Sequence, residues 1–300
     1  MFLTVPSSPI AAPIGLRILP PAALRLPGIA HAVLREARPV VLGMFLLRLV
    51  VGVAQGTGIT TASALVLTGW MALVTAVYLM NGLSDLTGDI ANGSRRPLAA
   101  GELSVETART AVGVLTVAGL LCCAAAGVTQ FLLAVVFSAL GAGYSYGPKF
   151  KERTSSASFA AGAGIALTYL AMWSVDPHSL TIVLVDIAVA GWVSLCCAVK
   201  DFSDVHGDRL AGRRTWPVRF GERRAAQLIS ALSISFAAAL CALGVFVAAV
   251  LPVAAVLLVG ALVVAVRALT GTDPRAPYRA FMVTQLAANA CLFGVAVTLG

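Results

Sequence analysis

The segment at residues 62–89 reads ASALVLTGWMALVTAVYLMNGLSDLTGD. Its first part is apolar and long enough to cross the hydrocarbon core of a bilayer, which needs roughly 20 residues of helix. Its last part carries Asp85 and Asp89, so the apolar segment ends in charged side chains. The pattern predicts a membrane-spanning helix that places carboxylates at one face of the membrane.

The composition extends this interpretation to the whole chain. Of the 300 residues, 59% are hydrophobic and only 11% are charged, and the mean hydropathy is +0.93. Because soluble domains carry about 25% charged residues, most of this surface must face lipid. The apolar segments show no ten-residue alternation, which favours helices over a β-barrel. We therefore predict an all-α polytopic membrane protein with about nine transmembrane helices in one bundle. The predicted spans are 39–56, 62–84, 105–125, 128–146, 157–175, 179–199, 224–247, 249–268 and 278–299.

The positive charges predict the orientation of the bundle. Nearly all loop Lys and Arg residues lie in alternate connections, which are 85–104, 147–156, 200–223 and 269–277. By the positive-inside rule, these loops and the N-terminus are cytoplasmic and the C-terminus is outside, as in a bacterial-type plasma membrane. Because the basic residues lie in short loops between spans, the net charge of +8 does not indicate a nucleic-acid partner.

The proline-rich N-terminal segment differs from the rest of the chain. Six prolines before residue 30 break any continuous apolar helix, so residues 1–38 are predicted to be a poorly ordered cytoplasmic lead-in. Residues 39–300 then form one transmembrane domain. The six cysteines all lie in apolar segments and are interpreted as packing residues.

Five of the eight aspartates lie in two short segments, each at the end of a predicted span. In NGLSDLTGD, a spacing of four places three polar side chains on one helix face, and in KDFSDVHGD, offsets of three and four do the same. Neighbouring carboxylates repel each other, and a hard divalent cation compensates this repulsion. Since Mg²⁺ is usually held by one or two carboxylates together with substrate phosphates, the two segments predict a Mg²⁺–diphosphate site. The predicted metal ligands are Asp85, Asp89, Asp201, Asp204 and Asp208.

Basic and aromatic residues accompany the acids at the same predicted face. Arg96, Lys149 and Lys200 are placed to neutralise phosphate charge, and Tyr144 shares their rim. Arg48 lies in the middle of the first span, where an arginine is costly. It either binds an anionic group or has a structural hydrogen-bonding role.

Two interpretations without catalysis were weighed against this site. A single Asp-rich helix end is often a solvated cap, but two matched ends on one side are not explained in that way. A proton or cation transporter would place acids within its spans. Here the acids lie at span ends, with Asp186 as the exception.

These motifs resemble the UbiA superfamily of intramembrane prenyltransferases. The first family motif, Asn-x-x-x-Asp-x-x-x-Asp followed by Arg-Pro, matches Asn81–Asp89 and Arg96–Gly101. The second matches Lys200–Asp208 and the Arg-Thr pair that follows it. The Tyr-Ser-Tyr-x-Pro-Lys element at 144–149 resembles the branch of chlorophyll and homogentisate prenyltransferases. The sequence departs from the pattern at Gly82, where many members carry Asp.

The resemblance implies a bundle around a central cavity and transfer of an isoprenoid chain from a prenyl diphosphate to an acceptor, commonly aromatic, within the bilayer. It implies Mg²⁺ bound by the five aspartates, with Asp85 and Asp204 essential for turnover. Diphosphate would be bound by Asn81, Arg96, Lys149 and Lys200, and Arg48 is a further candidate. Tyr144 would hydrogen-bond to the diphosphate or support the carbocation.

Two other functions remain open from the residues. A terpene cyclase on the same scaffold would use the same metal site without an acceptor. A transporter or non-catalytic lipid-binding protein is disfavoured by the intact acid motifs.

Overall fold

The computed structural model describes residues 26–56, 58–177 and 179–299, and this part of the chain is helical without a β-strand. The helices are α1 (Leu26–Glu36), α2 (Pro39–Gln55), α3 (Thr61–Ala91), α4 (Val105–Ala126), α5 (Val128–Ser145), α6 (Thr154–Val175), α7 (Leu180–Cys196), α8 (Val205–Leu210), α9 (Trp216–Phe220), α10 (Glu222–Gly244), α11 (Leu251–Thr270) and α12 (Ala276–Leu299). Three 3₁₀ segments, Phe150–Glu152, Cys197–Ser203 and Ala248–Val250, join them.

Within the described residues, eight helices are long and apolar enough to cross a membrane, and α1 with α2 forms a bent ninth candidate. Consecutive long helices pack side by side, and α12 closes the bundle by packing against α2. The predicted all-α membrane fold is confirmed. The central cavity implied by the family resemblance remains a prediction.

The break between α1 and α2 lies in the predicted lead-in. Residues 1–25 lie outside the described part of the chain, whereas Leu26–Glu36 form a helix that meets α2 at 81°. Arg38 adopts left-handed backbone angles, with φ of 61°. Since a residue before proline is disfavoured in the α conformation, Pro39 explains why the helix stops and restarts here.

Helix α3 is longer than the span predicted at 62–84, because it continues without interruption to Ala91. Its 31 residues extend about 46 Å at 1.5 Å per residue, more than a hydrocarbon core requires. The helix begins at a capping box in which the Thr60 hydroxyl accepts from the Ser63 amide. The first aspartate motif therefore lies in the last turns of a helix that is longer than a span requires.

Close helix packing and buried polar contacts hold the bundle together. A Cβ on Gly69 of α3 would lie only 2.9 Å from the Gly119 carbonyl oxygen of α4, so glycine allows these two backbones to approach. Trp70 is fully buried, and its indole N–H donates to Gln130 Oε1 of α5 at 3.1 Å. These contacts fix α3, and with it the position of the first motif.

Candidate active site

The first aspartate motif is presented on one face of α3, as its spacing predicts. Asn81, Asp85 and Asp89 are all partly buried on this continuous helix. Lys151 Nζ approaches the motif, lying 2.8 Å from Asp85 Oδ1 and 3.2 Å from Asn81 Oδ1, and it also donates to the Ser84 hydroxyl. One lysine therefore uses its three donors on a single turn of α3.

The second aspartate motif does not form the single helix face that its offsets of three and four predict. Helix α7 ends at Cys196, and Asp201 lies in the 3₁₀ segment that follows. Asp204 stands at the break before α8, with φ of −137° and ψ of 27°, and Asp208 lies inside α8. The backbone is continued by hydrogen bonds from the Asp204 amide to the Asp201 carbonyl and from the Asp208 amide to the Asp204 carbonyl.

The two motifs nevertheless face each other. Arg213 links them, since its guanidinium lies 2.8 Å from Asp85 and 3.3 Å from Asp208. Gly207 lies beside the end of α3, because a Cβ built on it would approach the Asn92 side chain at 3.4 Å. The charges of Asp85 and Asp89 also act on Asp204 from across the gap.

Two loops bring Lys151 and Arg213 to the aspartate motifs. The Arg214 amide donates to the Glu152 carbonyl at 2.8 Å, and the Thr154 hydroxyl donates to the Arg214 carbonyl. The loop after α5 is thus joined to the loop after α8 by backbone contacts. This junction places Lys151 from one loop and Arg213 from the other on the same carboxylate, Asp85.

The pKa values outside the spans reflect this crowding of charge. Burial and the neighbouring carboxylate of Asp208 raise the pKa of Asp204, although Arg213 opposes the shift. Burial lowers the pKa of Lys151, an effect that Asp85 opposes. Burial alone would also lower the pKa of Arg213, but Asp85 and Asp208 raise it above its usual value. The site therefore concentrates carboxylates that an added cation would stabilise.

Arg96 belongs to the site but also reaches outside it. Its NH1 forms a salt bridge with Asp89 at 2.7 Å, and its NH2 forms one with the fully buried Glu36 at 2.6 Å.

Lys200 and Tyr144 are in contact, as expected for two residues on the same rim of the site. Lys200 Nζ donates to the Tyr144 hydroxyl at 2.8 Å and lies 5.5 Å from the centre of its ring.

Two predicted site residues lie apart from this cluster. Lys149 is exposed, and its Nζ lies 3.3 Å from Glu152, while Lys151 lies against Asp85. Arg48 is buried deep in the bundle, where it donates to Gln285 of α12 and lies 4.9 Å from the Phe45 ring centre. It does not contact the aspartates.

Sequence reasoning missed three residues that the structure brings to the motifs, namely Glu36, Lys151 and Arg213. For Lys151, the only signal was its position two residues after the favoured Lys149. Arg213 was interpreted only as one of the loop arginines that indicate orientation. Glu36 precedes the first span, in a segment that was predicted to be poorly ordered.

The donor set fits Mg²⁺ in kind, since it offers carboxylate oxygens from two sides. Within the described residues, no group of three His, Cys, Asp or Glu side chains is placed to hold a bare ion. Mg²⁺ usually retains waters and shares its coordination between one or two carboxylates and substrate phosphates. The facing motifs supply this smaller number of ligands.

Comparison with known proteins identifies the family. The model of the UbiA prenyltransferase family matches residues 40–289. The chain belongs to this family. Membership confirms the enzyme class predicted from the motifs, a prenyltransferase, at the level of the family. The more specific resemblance to the chlorophyll and homogentisate branch is not confirmed.

A curated protein and several solved structures are similar to the chain. The polyprenyl transferase eriF of Hericium erinaceus is 27% identical over 169 residues, which cover 55% of this chain and 58% of that protein. A UbiA homologue from Archaeoglobus fulgidus, solved with DMAPP and Mg²⁺, is 22% identical with a TM-score of 0.68 and covers 89% of this chain and 99% of its own. The apo UbiA homologue from Aeropyrum pernix K1 is 16% identical with a TM-score of 0.67, covering 89% of this chain and 98% of its own. At these identities, the structural matches show the shared fold.

Proposed function

We propose that this protein transfers a prenyl group from a Mg²⁺-bound prenyl diphosphate to an acceptor within the membrane. The observation that carries the proposal is the meeting of two aspartate motifs around Lys151 and Arg213. Carboxylates and cations at one place match a ligand that is itself a metal–phosphate complex. The similar structure from Archaeoglobus fulgidus, solved with GPP and Mg²⁺, supports the same ligand class here.

The aspartates would hold the metal from both sides. Asp85 and Asp89 would contribute from α3, and Asp201, Asp204 and Asp208 from the segment after α7. When bound, Mg²⁺ would withdraw charge from the diphosphate leaving group. On binding of the ligand, Lys151 and Arg213 are expected to turn from Asp85 toward phosphate oxygens. Asn81, which Lys151 contacts, and Lys200, whose charge acts on Asp201, would complete the contact, and we place Lys149 at the outer rim.

Loss of diphosphate creates an allylic carbocation that water would destroy. The Tyr144 hydroxyl accepts from Lys200, so its own proton remains available to donate to a phosphate oxygen. The apolar helices would keep water from the cation until the acceptor carbon attacks it. The proton that this carbon then loses would pass to the released diphosphate. We place this site at the cytoplasmic face, because the connections near it carry most of the loop Lys and Arg residues.

A polar cluster deeper in the bundle supports an aromatic acceptor. Arg48 contacts Gln285 and Tyr169, and the Tyr169 hydroxyl donates to Asn289 at 2.8 Å. Phe45, next to Arg48, packs on Tyr78 of α3, which is seven residues before Asp85, or about 10 Å along the helix. If a polar substituent of an aromatic acceptor bound next to Arg48, the ring of that acceptor would lie close to the carbocation. We therefore assign Arg48 to the acceptor side and not to the diphosphate.

The decisive experiment incubates purified protein with Mg²⁺ and either DMAPP or GPP, with and without aromatic acids. We expect diphosphate release that requires both Mg²⁺ and acceptor, together with a prenylated product. A cyclic hydrocarbon formed without acceptor would instead establish the terpene cyclase. Absence of both products across donors and acceptors would refute catalysis on these substrates and favour a non-catalytic lipid-binding protein.

A further inference from the structure

Gly82, in the middle of the first motif, leaves a space that another residue occupies. A Cβ built at this position would lie 2.2 Å from Glu36 Oε1 and 2.8 Å from Arg96 NH2. The backbone here is ordinary α-helix, so glycine is not required by a left-handed conformation. Since glycine disfavours a helix interior, its presence at residue 82 is explained by space and not by the backbone.

The space is filled by the carboxylate of Glu36, from the last turn of α1. This side chain is fully buried, and Oε2 accepts from the Leu98 amide at 3.0 Å. Its other oxygen forms the 2.6 Å salt bridge with Arg96. A buried carboxylate needs this many partners because removing it from water is costly. Helix α1 therefore supplies a carboxylate in the space that a side chain on residue 82 would occupy.

Glu36 determines how Arg96 meets the site. The guanidinium is shared, with NH2 on Glu36 and NH1 on Asp89 at 2.7 Å. A guanidinium can bind one carboxylate with two parallel hydrogen bonds. If Glu36 were absent, Arg96 would be free to close on Asp89 with both nitrogens and to withdraw that carboxylate from a metal.

We propose that Glu36 is a positioning residue of the active site. By holding one side of Arg96, it keeps Asp89 available to Mg²⁺ and keeps the guanidinium directed at the diphosphate. Gly82 is the adaptation that admits it. The proposal rests on the proposed prenyl transfer, and it predicts that the carboxylate can be moved from α1 to α3 with partial retention of function.

Four variants of the full chain test this relocation. They are Glu36→Gln, Gly82→Asp, the double variant Glu36→Ala with Gly82→Asp, and the control Glu102→Gln. Glu102 is a suitable control because its salt bridge also involves a residue of α1, Arg35, but is exposed to solvent. Each is assayed with GPP for KM, kcat and the Mg²⁺ concentration at half-maximal rate, and thermal unfolding is recorded in the same detergent.

We expect Glu36→Gln to raise the Mg²⁺ requirement and the KM for GPP by about 10–100-fold, as for other residues that orient metal-site side chains. Gly82→Asp should lose as much, because the new side chain overlaps Glu36. The double variant should recover at least about tenfold over either single variant. Glu102→Gln should match the wild type.

Several outcomes would overturn the proposal. One is an unchanged Mg²⁺ requirement and KM in Glu36→Gln. Another is a folded double variant that is no more active than Glu36→Gln or Gly82→Asp. If activity per folded molecule stayed constant while only the melting temperature fell, Glu36 would be purely structural. A wild-type protein that turns over no prenyl diphosphate, GPP and DMAPP included, would refute the proposed function and the positioning role together. An active wild type whose activity does not depend on Glu36 would refute the positioning role alone.

Discussion

The two aspartate motifs have similar sequences but different backbones. The first lies on the uninterrupted helix α3, whereas the second runs through a 3₁₀ segment, a break at Asp204 and the short helix α8. Their partners differ as well. Asp85 lies within 2.8 Å of two cations, while Asp204 makes no salt bridge within the described part of the chain and is crowded by other carboxylates. The rigid motif is thus compensated by protein cations, and the broken motif leaves a carboxylate free for a metal.

Replacing the central aspartate of each motif tests this difference in ion pairing, and it is expected to change activity more than any other substitution. Asp85→Asn and Asp204→Asn should each lower kcat/KM for GPP by about 10³-fold, since each removes a charge that acts in the transition state. Their stabilities should diverge. Asp85→Asn leaves Lys151 without its carboxylate and Arg213 with only Asp208, costing about 1–3 kcal/mol, whereas Asp204→Asn relieves repulsion. Diphosphate release and thermal unfolding measure the two quantities. Near wild-type turnover in both variants would refute the site.

The two lysines of the loop after α5 provide a matched pair. Lys151→Met should lower kcat/KM about 100-fold, because its ammonium contacts Asn81 and Asp85 and is expected to reach the diphosphate. Lys149→Met should stay within about twofold of the wild type, because Lys149 is exposed and pairs only with Glu152 among the described residues. Steady-state kinetics with GPP decide between them. A larger loss at Lys149 would restore the assignment made from sequence.

The two tyrosines that end α5 give a smaller effect. Tyr144→Phe removes the hydroxyl that accepts from Lys200, and we expect a rate about tenfold lower because a hydrogen bond to a charged group is lost. Tyr146→Phe is the control, since this side chain is exposed two residues further on. Single-turnover rates separate chemistry from product release. Equal rates for both variants would remove Tyr144 from the mechanism.

The part of the site that is visible in the sequence is the part carried by regular structure. The spacing of Asn81, Asp85 and Asp89 converts directly into one helix face, because α3 is continuous. The same arithmetic failed for the second motif, since nothing in the spacing of Asp201, Asp204 and Asp208 reveals that the backbone changes from 3₁₀ to α at Asp204. Residue spacing predicts a shared face only where the backbone keeps one helical geometry throughout the motif.

The residues that were missed depend on long-range contacts. Lys149 and Lys151 differ in which side of an irregular loop they occupy. Backbone pairing of this loop with the Arg214 loop determines the side on which each lysine lies. Glu36 lies 60 residues from Arg96, so their salt bridge follows from the 81° bend between α1 and α2. Hydropathy identified the spans because burial in lipid acts on each segment separately. Tertiary ion pairs have no such local signature.

The junction between the two loops provides the smallest test of how the motifs are joined. Thr154→Val removes the hydroxyl that donates to the Arg214 carbonyl at a buried position, and it leaves the shape of the side chain nearly unchanged. We expect a loss of about 1 kcal/mol, which lowers the melting temperature by about 2–4 °C. Turnover should fall only a few-fold, because the pairing of the Arg214 amide with Glu152 remains. Thr270→Val, whose hydroxyl bonds to Val266 at the exposed end of α11, should leave both quantities unchanged. If Thr154→Val lowered turnover without lowering the melting temperature, the junction would set the placement of Lys151 and Arg213 over Asp85 and contribute nothing to stability.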